Sequence, residues 1–294
     1  MKRREFGRVL TALAAVPGLT LAGTAQAAKA GGAANRTPVV GDRNQATIDE
    51  IQTFMGGDAV RVGIVLYPSV FALDVVNLVT VFQALGGSFI HLIAKDKNPV
   101  GNDPTDMPTL VPLQPTDTFA DAPKDLDVLI LPGTLPGKYG LMEDKELITY
   151  VQETAKTSKF VASVGTGALI MASAGLLYKR KATTFWPFKP MLAELGTNVV
   201  NQRVVVDGNR VTAAGATASM DLGLKLIELV RNPSQSQLVQ LYLEYDPSSA
   251  AKGGSPERAQ ANVSAFMSAM YSDTLKEGRD VAKRVATGLK AGGK

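Results

Sequence analysis

The 294-residue sequence predicts an α/β protein of flavodoxin-like type: a three-layer sandwich with a mostly parallel sheet, plus a C-terminal helical extension. Two observations lead to this fold class. Short apolar runs alternate with segments of helical spacing, and the first run, RVGIVLY at 61–67, is apolar at every position but its first. Alternating strands and helices form parallel sheets, and continuous apolar runs indicate strands that are buried on both faces.

The predicted elements follow in a regular order. Apolar β-branched runs predict strands, and helical spacing of apolar residues predicts helices. Asp207-Gly208-Asn209 between two apolar runs is a strong hairpin signal. We predict strands at 61–67, 88–95, 127–131 and 159–164, a short extended segment at 181–186 and a hairpin at 203–215, with helices at 71–85, 143–156, 167–180 and 220–230.

The first 27 residues have the features of an export signal. A charged start with Arg3 and Arg4 precedes an apolar run, and residues 25–27 (AQA) resemble a cleavage site. The paired arginines resemble a twin-arginine signal. The apolar run, broken by Pro17, is too short to span a bilayer. We therefore expect a periplasmic protein, exported by the twin-arginine route, with no stable membrane insertion after cleavage.

Four segments organise the chain. Residues 1–27 form the signal peptide, and residues 28–58, rich in small residues, form a flexible tether. The α/β domain occupies 59–250, and a helical extension occupies 251–294. We predict that the helix of this extension begins at Ser255-Pro256-Glu257, because serine is a good cap and proline fits the first helical position.

Composition excludes several classes of function. The chain holds 31 basic and 27 acidic residues, and the signal accounts for four of the former and one of the latter, which leaves 27 against 26. This near-neutral balance indicates no nucleic-acid partner. The chain has no cysteine and one histidine, His91, so thiol catalysis and a Cys/His zinc site are excluded, and we expect no metal and no cofactor. His91 lies inside a predicted strand, where a structural role is favoured.

Three strand ends bring the candidate site residues to one edge of the sheet, where open α/β sheets bind ligands. They supply Asp74, the pair Gly133-Thr134 and the pair Gly165-Thr166. A buried carboxylate needs a partner, so Asp74 is either a functional group or a charge that favours the helix dipole. We expect the backbone N–H groups of Gly133 and Thr166 to stabilise developing negative charge.

An aromatic segment follows at Thr183-Thr184-Phe185-Trp186, which contains the only tryptophan. Phe185 and Trp186 are candidates for the wall of a ligand pocket. A role in the core is the favoured alternative, because aromatic side chains commonly fill protein interiors.

Residues 61–259 resemble the ThiJ/PfpI family of the class I glutamine amidotransferase-like superfamily, and within it most resemble the isonitrile hydratases. The resemblance implies a homodimer and the addition of water to an isonitrile carbon, which yields an N-substituted formamide. Five segments carry it, and the list gives them in chain order: RVGIVLYPSV with the start of the Asp74 helix, DVLILPG, SVGTGALIMASAGLL followed by KATTFW, DGNRVTAAGATASMDLGL, and LEYDPSSAAKGGSPERA.

The resemblance also assigns roles to individual residues. This chain departs from the family pattern at residues to which the family assigns chemical roles. The family motif Cys-Thr-Gly places the nucleophilic cysteine at Gly165, the threonine at Thr166 and the neighbouring acid at Asp74. The family commonly has His where Phe185 stands, and Gly-Gly where this chain has Gly133-Thr134. The same segments imply substrate contacts from Gly133, Thr134, Thr184, Phe185 and Trp186.

Two interpretations of function follow. The favoured one is a non-catalytic or altered protein that binds a small molecule of unknown identity. The alternative is a hydratase or hydrolase in which Asp74 activates a water molecule. Thr166 as a nucleophile is less favoured, because no base other than Asp74 is evident near it. A related transcription regulator is excluded by the lack of a helix-turn-helix extension and by the charge balance.

Overall fold

The computed structural model describes residues 56–101, 111–135, 137–248 and 252–291. The predicted signal peptide and nearly all of the predicted tether lie outside these residues. From Gly57 onward the described residues form one compact unit.

A seven-stranded sheet is the centre of the molecule, and its strand order is β3-β2-β1-β4-β5-β9-β8. All neighbouring strands in it are parallel except the final pair, β8 and β9. A separate small sheet pairs β6 with β7. The predicted mostly parallel sheet is confirmed. The strands are β1 (Val60–Val65), β2 (Ser88–Ala94), β3 (Asp117–Thr118), β4 (Val128–Leu131), β5 (Phe160–Val164), β6 (Lys181–Ala182), β7 (Asn198–Val199), β8 (Val204–Asp207) and β9 (Arg210–Ala213).

Helices cover the sheet, and the described residues also include two 3₁₀ turns, at Tyr139–Met142 and Trp186–Phe188. Within the described ranges, no helix is long and apolar enough to cross a membrane. The helices are α1 (Ala72–Leu85), α2 (Lys145–Thr157), α3 (Gly167–Ser173), α4 (Lys189–Glu194), α5 (Ala218–Val230), α6 (Pro233–Tyr242), α7 (Ala261–Met270) and α8 (Ser272–Ala291).

Local chemistry explains why these elements begin and end where they do. All four residues of β4 are buried, as expected for a strand covered on both faces. Asp144 caps α2 by accepting the Leu147 N–H at 3.1 Å, and Asn232 caps α6 ahead of a proline at the first turn. The predicted hairpin is present between β8 and β9, where Gly208 adopts a φ of 59°.

The predicted start of the C-terminal helix was wrong. The carbonyl of Ser255 accepts N–H groups from Arg258 and Ala259, which makes a single turn. The chain then becomes extended at Gln260, with φ −60° and ψ 143°, and α7 begins one residue later. A second break at Tyr271 separates α7 from α8.

The last helix packs on the α/β domain. Val281 and Ala282 are buried on its inner face. Arg279 pairs with Glu194 at the end of α4, and Arg284 donates two hydrogen bonds of 3.0 Å to Glu143. The packing brings Tyr271, which immediately precedes α8, into contact with Phe185 and Phe188.

Strand order places the site. The chain runs outward from β1 to β2 and β3, and then returns to the other side of β1 to form β4 and β5. The order therefore reverses between β1 and β4, and ligands bind at such switch points, beyond the carboxyl ends of the strands.

Candidate functional site

A sharp turn links β5 to α3, and we call it the elbow, residues Gly165 and Thr166. Gly165 has a φ of 51°, a left-handed conformation that residues with a Cβ adopt at a cost. Its N–H donates to the Ala213 carbonyl at 3.0 Å, and its own carbonyl accepts the Ala168 N–H at 3.2 Å. The elbow thus has the strand–turn–helix geometry that nucleophiles occupy in α/β enzymes.

A Cβ at position 165 would fit the space. A Cβ built on Gly165 lies 3.4 Å from the Ala214 carbonyl oxygen, which is ordinary contact. The next nearest atoms, Gly133 Cα and Phe185 Cβ, are 4.0 Å away. The backbone strain is therefore the main obstacle to a Cβ at this position.

Asp74 lies beside the elbow, in the first turn of α1, with 1% of its surface exposed. Its Oδ2 accepts the Gly133 N–H at 2.7 Å. Its Oδ1 is buried and has no hydrogen-bond partner among the described residues. Burial raises the pKa of Asp74 to about 7, although the Gly133 hydrogen bond acts in the opposite direction.

Tyr67 supports this arrangement from the end of β1. Its hydroxyl donates to the Pro132 carbonyl, one residue before Gly133. Burial, and then the charge of Asp74, raise the pKa of the Tyr67 hydroxyl well above its usual value. Tyr67 is therefore a neutral donor that fixes the loop after β4.

The expected role of the Gly133 amide in binding developing charge is not met in this structure. Its N–H is already donated to Asp74, because a carboxylate buried without a cation takes the nearest donor. A Cβ at Gly133 would lie 2.9 Å from Asp74 Oδ2, so only glycine allows this close approach without a shift. Gly133 thus holds the acid in place.

The two threonines of the predicted site contact each other. The Thr134 N–H donates to Thr166 Oγ1 at 2.7 Å, and the Thr166 hydroxyl donates to the Thr134 carbonyl at 3.2 Å. These bonds join the loop after β4 to the elbow. A cavity of about 10 Å³ adjoins both threonines and Phe188, and it has room for about one water molecule.

Thr184 and the two aromatic residues that follow it differ in burial and in contacts. Thr184 is fully buried and donates to the Gly165 carbonyl at 2.6 Å, so it positions the elbow. The Phe185 ring stacks on Phe188 at 5.9 Å, and Trp186 meets the Phe185 edge at 6.1 Å. Phe185 and Trp186 are both half-buried, and Phe185 packs against the hydrophobic core.

Sequence reasoning missed Phe188 and Tyr271. The Tyr271 ring meets both Phe185 and Phe188 edge-on, each at 5.9 Å. Tyr271 reaches the site only because α8 packs there, and no local pattern predicts such a contact.

His91 contacts an acidic residue on the neighbouring strand. His91 Nδ1 lies 2.9 Å from Asp117 Oδ2, which joins β2 to β3 and supports the structural role. In the described part of the chain, no three His, Cys, Asp or Glu residues are grouped so that they could hold a metal ion.

Comparison with known proteins places this geometry in a family. The DJ-1/PfpI family model matches residues 60–229. The chain belongs to the DJ-1/PfpI family. It is 36% identical to an isonitrile hydratase of Pseudomonas putida over 231 residues, which is 79% of this chain and 98% of that protein.

Solved structures agree on the fold. The crystal structure of a ThiJ/PfpI family protein from Pseudomonas syringae matches with a TM-score of 0.74 and 31% identity, and the match covers 79% of this chain and 94% of that one. Drosophila melanogaster DJ-1beta matches with a TM-score of 0.55 and 20% identity over 64% of this chain and all of its own. The flavodoxin-like fold with added C-terminal helices is thereby confirmed.

Proposed function

We propose that this isonitrile hydratase-like member of the DJ-1/PfpI family is an exported protein that binds a small molecule and has lost thiol catalysis. One observation carries the proposal: Gly165 occupies the place of a nucleophile in a chain that has no cysteine. No neighbouring thiol can replace it. Loss of a nucleophile normally removes most of an enzyme's rate enhancement.

The rest of the elbow supports a site that once carried a nucleophile. Gly165 has a φ of 51°, a conformation that glycine itself does not require. Space for a Cβ is also present at this position. Thr184 still donates to the Gly165 carbonyl, and Gly133 holds the Asp74 carboxyl group in the neighbouring loop. A tight turn alone does not require a buried acid such as Asp74, whose Oδ1 has no hydrogen-bond partner among the described residues.

The first experiment compares the natural protein with Gly165→Cys in the presence of an alkyl isonitrile, with formamide as the measured product. We expect product from the variant alone. Gly140→Cys is the matched control, because Gly140 has no atom within 4 Å of its Cβ position and lies in the 3₁₀ turn Tyr139–Met142. Equal rates for the two cysteine variants, or none for either, would contradict a retained hydratase site.

A second candidate is a hydratase in which Asp74 activates water. It is favoured by the unpartnered Oδ1 and by the pKa of Asp74 at about 7, which suits a general base near neutral pH. In this case the natural protein produces formamide, its rate rises with pH through about 7, and Asp74→Asn abolishes it. Absence of turnover in the natural protein rejects this candidate.

Export and dimerisation belong to the proposal. Export rests on the paired Arg3 and Arg4, and it predicts that Arg3→Lys with Arg4→Lys prevents delivery of the folded protein to the periplasm. A homodimer is favoured by α7, which has no buried residue and exposes Val263, Phe266 and Met270. Phe266→Glu should then shift the sedimentation of the purified protein from dimer to monomer.

A further inference from the structure

A second cleft lies at the same edge of the sheet, on the opposite side of β1 from the elbow. The ends of β1, β2 and β3 supply Leu66, Ala94 and Phe119, and the region before α2 supplies Leu141. Its volume of about 480 Å³ is within the range of small-molecule sites. The elbow residues do not line it.

The floor of the cleft is apolar and partly aromatic. Phe119 lines it and stacks on Tyr150 with ring centroids 4.3 Å apart, so its ring is held in place. Tyr67 lines the inner end, and its hydroxyl is already bonded to Pro132. Such a floor suits an aliphatic or aromatic body, and aromatic faces also attract cations.

The charges at the rim favour a cation. Lys95, Asp96 and Asp144 are the charged residues of the lining. The Lys95 ammonium is held by Asp144 at 2.7 Å and by Glu146 at 3.3 Å. The hydrogen bond that Lys95 donates to Asp144 is the largest cause of the raised pKa of Lys95, so the ammonium charge is already paired.

Asp96 is the charged residue of the lining that is available to pair with a ligand, because Lys95 and Asp144 pair with each other. One of its oxygens accepts the Asn98 N–H at 2.7 Å, which fixes the side chain in the bend after β2. Among the described residues it makes no ion pair, and Asn98 also lines the cleft. The lining therefore has one more negative charge than positive, with an uncompensated carboxylate above an apolar floor.

We propose that this cleft is a second ligand site, and that it takes a small organic ammonium ion with an aromatic or aliphatic body. Asp96 pairs with the ammonium group, and the body rests against Phe119 and Tyr67. Asp96 and Phe119 take no part in the elbow site, and Tyr67 contacts it only through the Pro132 carbonyl, so the two sites can be tested separately.

The test uses three probes of the same shape: benzylammonium, benzyl alcohol and benzoate. Each is titrated into the purified natural protein while backbone amide NMR signals are followed. We expect benzylammonium to shift the amides of residues 94–98, to bind roughly 2–5-fold tighter than benzyl alcohol, as for an exposed ion pair, and to lose this advantage at high salt. Benzoate should bind most weakly.

Variants separate the charge from the shape of the cleft. Asp96→Asn should remove the advantage of benzylammonium and leave benzyl alcohol unchanged. Asp246→Asn, an exposed residue outside the lining, is the matched control and should change neither. Asn98→Trp, at an exposed rim position, should weaken all three probes without changing the unfolding midpoint.

Three results would overturn the assignment: benzoate binding as tightly as benzylammonium, shifts centred on Gly165 instead of 94–98, or no shift with benzylammonium. Repeating the titration on Gly165→Cys should give the same affinities. If Gly165→Cys produced no formamide, the binding of benzylammonium in the cleft would still stand. If benzylammonium did not bind, the hydratase test at the elbow would still stand.

Discussion

The amide nitrogen of Gly133 lies 2.7 Å from Oδ2 of Asp74, and this bond joins the loop after β4 to the first turn of α1. It leaves the other carboxyl oxygen buried without a partner in the described structure. One backbone donor cannot offset the burial of a full charge. The site therefore favours the protonated form of Asp74 up to about neutral pH. The elbow beside it has glycine at the position of a nucleophile.

The first prediction concerns stability and pH. The pKa of Asp74 rises on folding from 3.8 to about 7, so the folded state holds this proton more tightly than the unfolded state. Its contribution to stability is fully present below pH 3.8 and is lost as pH rises through about 7. The full loss amounts to about 4 kcal/mol for this pKa difference.

The measurement is urea unfolding of the natural protein and Asp74→Asn between pH 4 and pH 8. We expect the difference in unfolding free energy between them to fall by several kcal/mol across this range, because the other titrating groups cancel in the comparison. Above about pH 8 it should be flat. A difference that is constant with pH would show that Asp74 ionises normally.

The second prediction concerns the elbow. Gly165→Ala should lower the unfolding free energy by about 1–2 kcal/mol, because the left-handed backbone is unfavourable for a residue with a Cβ. The added methyl has room, so no packing term is expected. Gly140→Ala, at an uncrowded position without a positive φ, should leave the free energy nearly unchanged or raise it slightly. Equal effects of the two substitutions would show that the elbow is not strained.

The sequence was sufficient for the parts of the fold that depend on local patterns. The apolar runs that became β1, β4 and β5 are buried at nearly every position, so their pattern leaves few other structures. Parallel strands then bring their carboxyl ends to one edge, which is why Asp74, Gly133 and Gly165 could be expected together. The two-residue β3 was missed, because Asp117–Thr118 has no apolar pattern and is a strand only through its pairing with β2.

The details of the site needed the tertiary structure. Which acceptor takes the Gly133 N–H depends on the rotamer of Asp74, and a sequence pattern does not contain it. Tyr271 meets Phe185 and Phe188 only because α8 packs against the domain. The start of α7 was misplaced because a cap followed by proline predicts a first turn but not whether the helix continues after it.

The third prediction tests the link between the elbow and the loop after β4. Thr166→Val keeps the shape of the side chain but leaves the Thr134 N–H without its acceptor. A fully buried donor without a partner costs about 1–3 kcal/mol. Thr134 is half-buried, so we expect a loss of unfolding free energy of about 1 kcal/mol, at the low end of that range. Thr166→Ser retains the hydroxyl and should lose less. Faster hydrogen exchange of the Thr134 amide in the valine variant alone would locate the effect.

The fourth prediction tests how α8 is held on the domain. A Cβ added at Gly278 would lie 2.2 Å from Met191 Cε and 2.6 Å from the Tyr139 ring. Met191 Cε is the end of a flexible side chain and can move, but Tyr139 is buried and bonded to Thr274. Gly278→Ala should therefore destabilise the packed helix by about 1–3 kcal/mol, as overpacking does.

Gly288→Ala is the matched control in the same helix, because nothing lies within 4 Å of its Cβ position. There alanine should stabilise α8 by up to about 1 kcal/mol through helix propensity alone. Urea unfolding measures the change in unfolding free energy for each variant. If α8 detaches before the domain unfolds, hydrogen exchange of the α8 amides replaces it. Changes of opposite sign for the two variants would confirm the close approach at Gly278. Stabilisation by both substitutions would mean that α8 does not pack against Tyr139, and the contacts of Tyr271 with Phe185 and Phe188 would then lose their support.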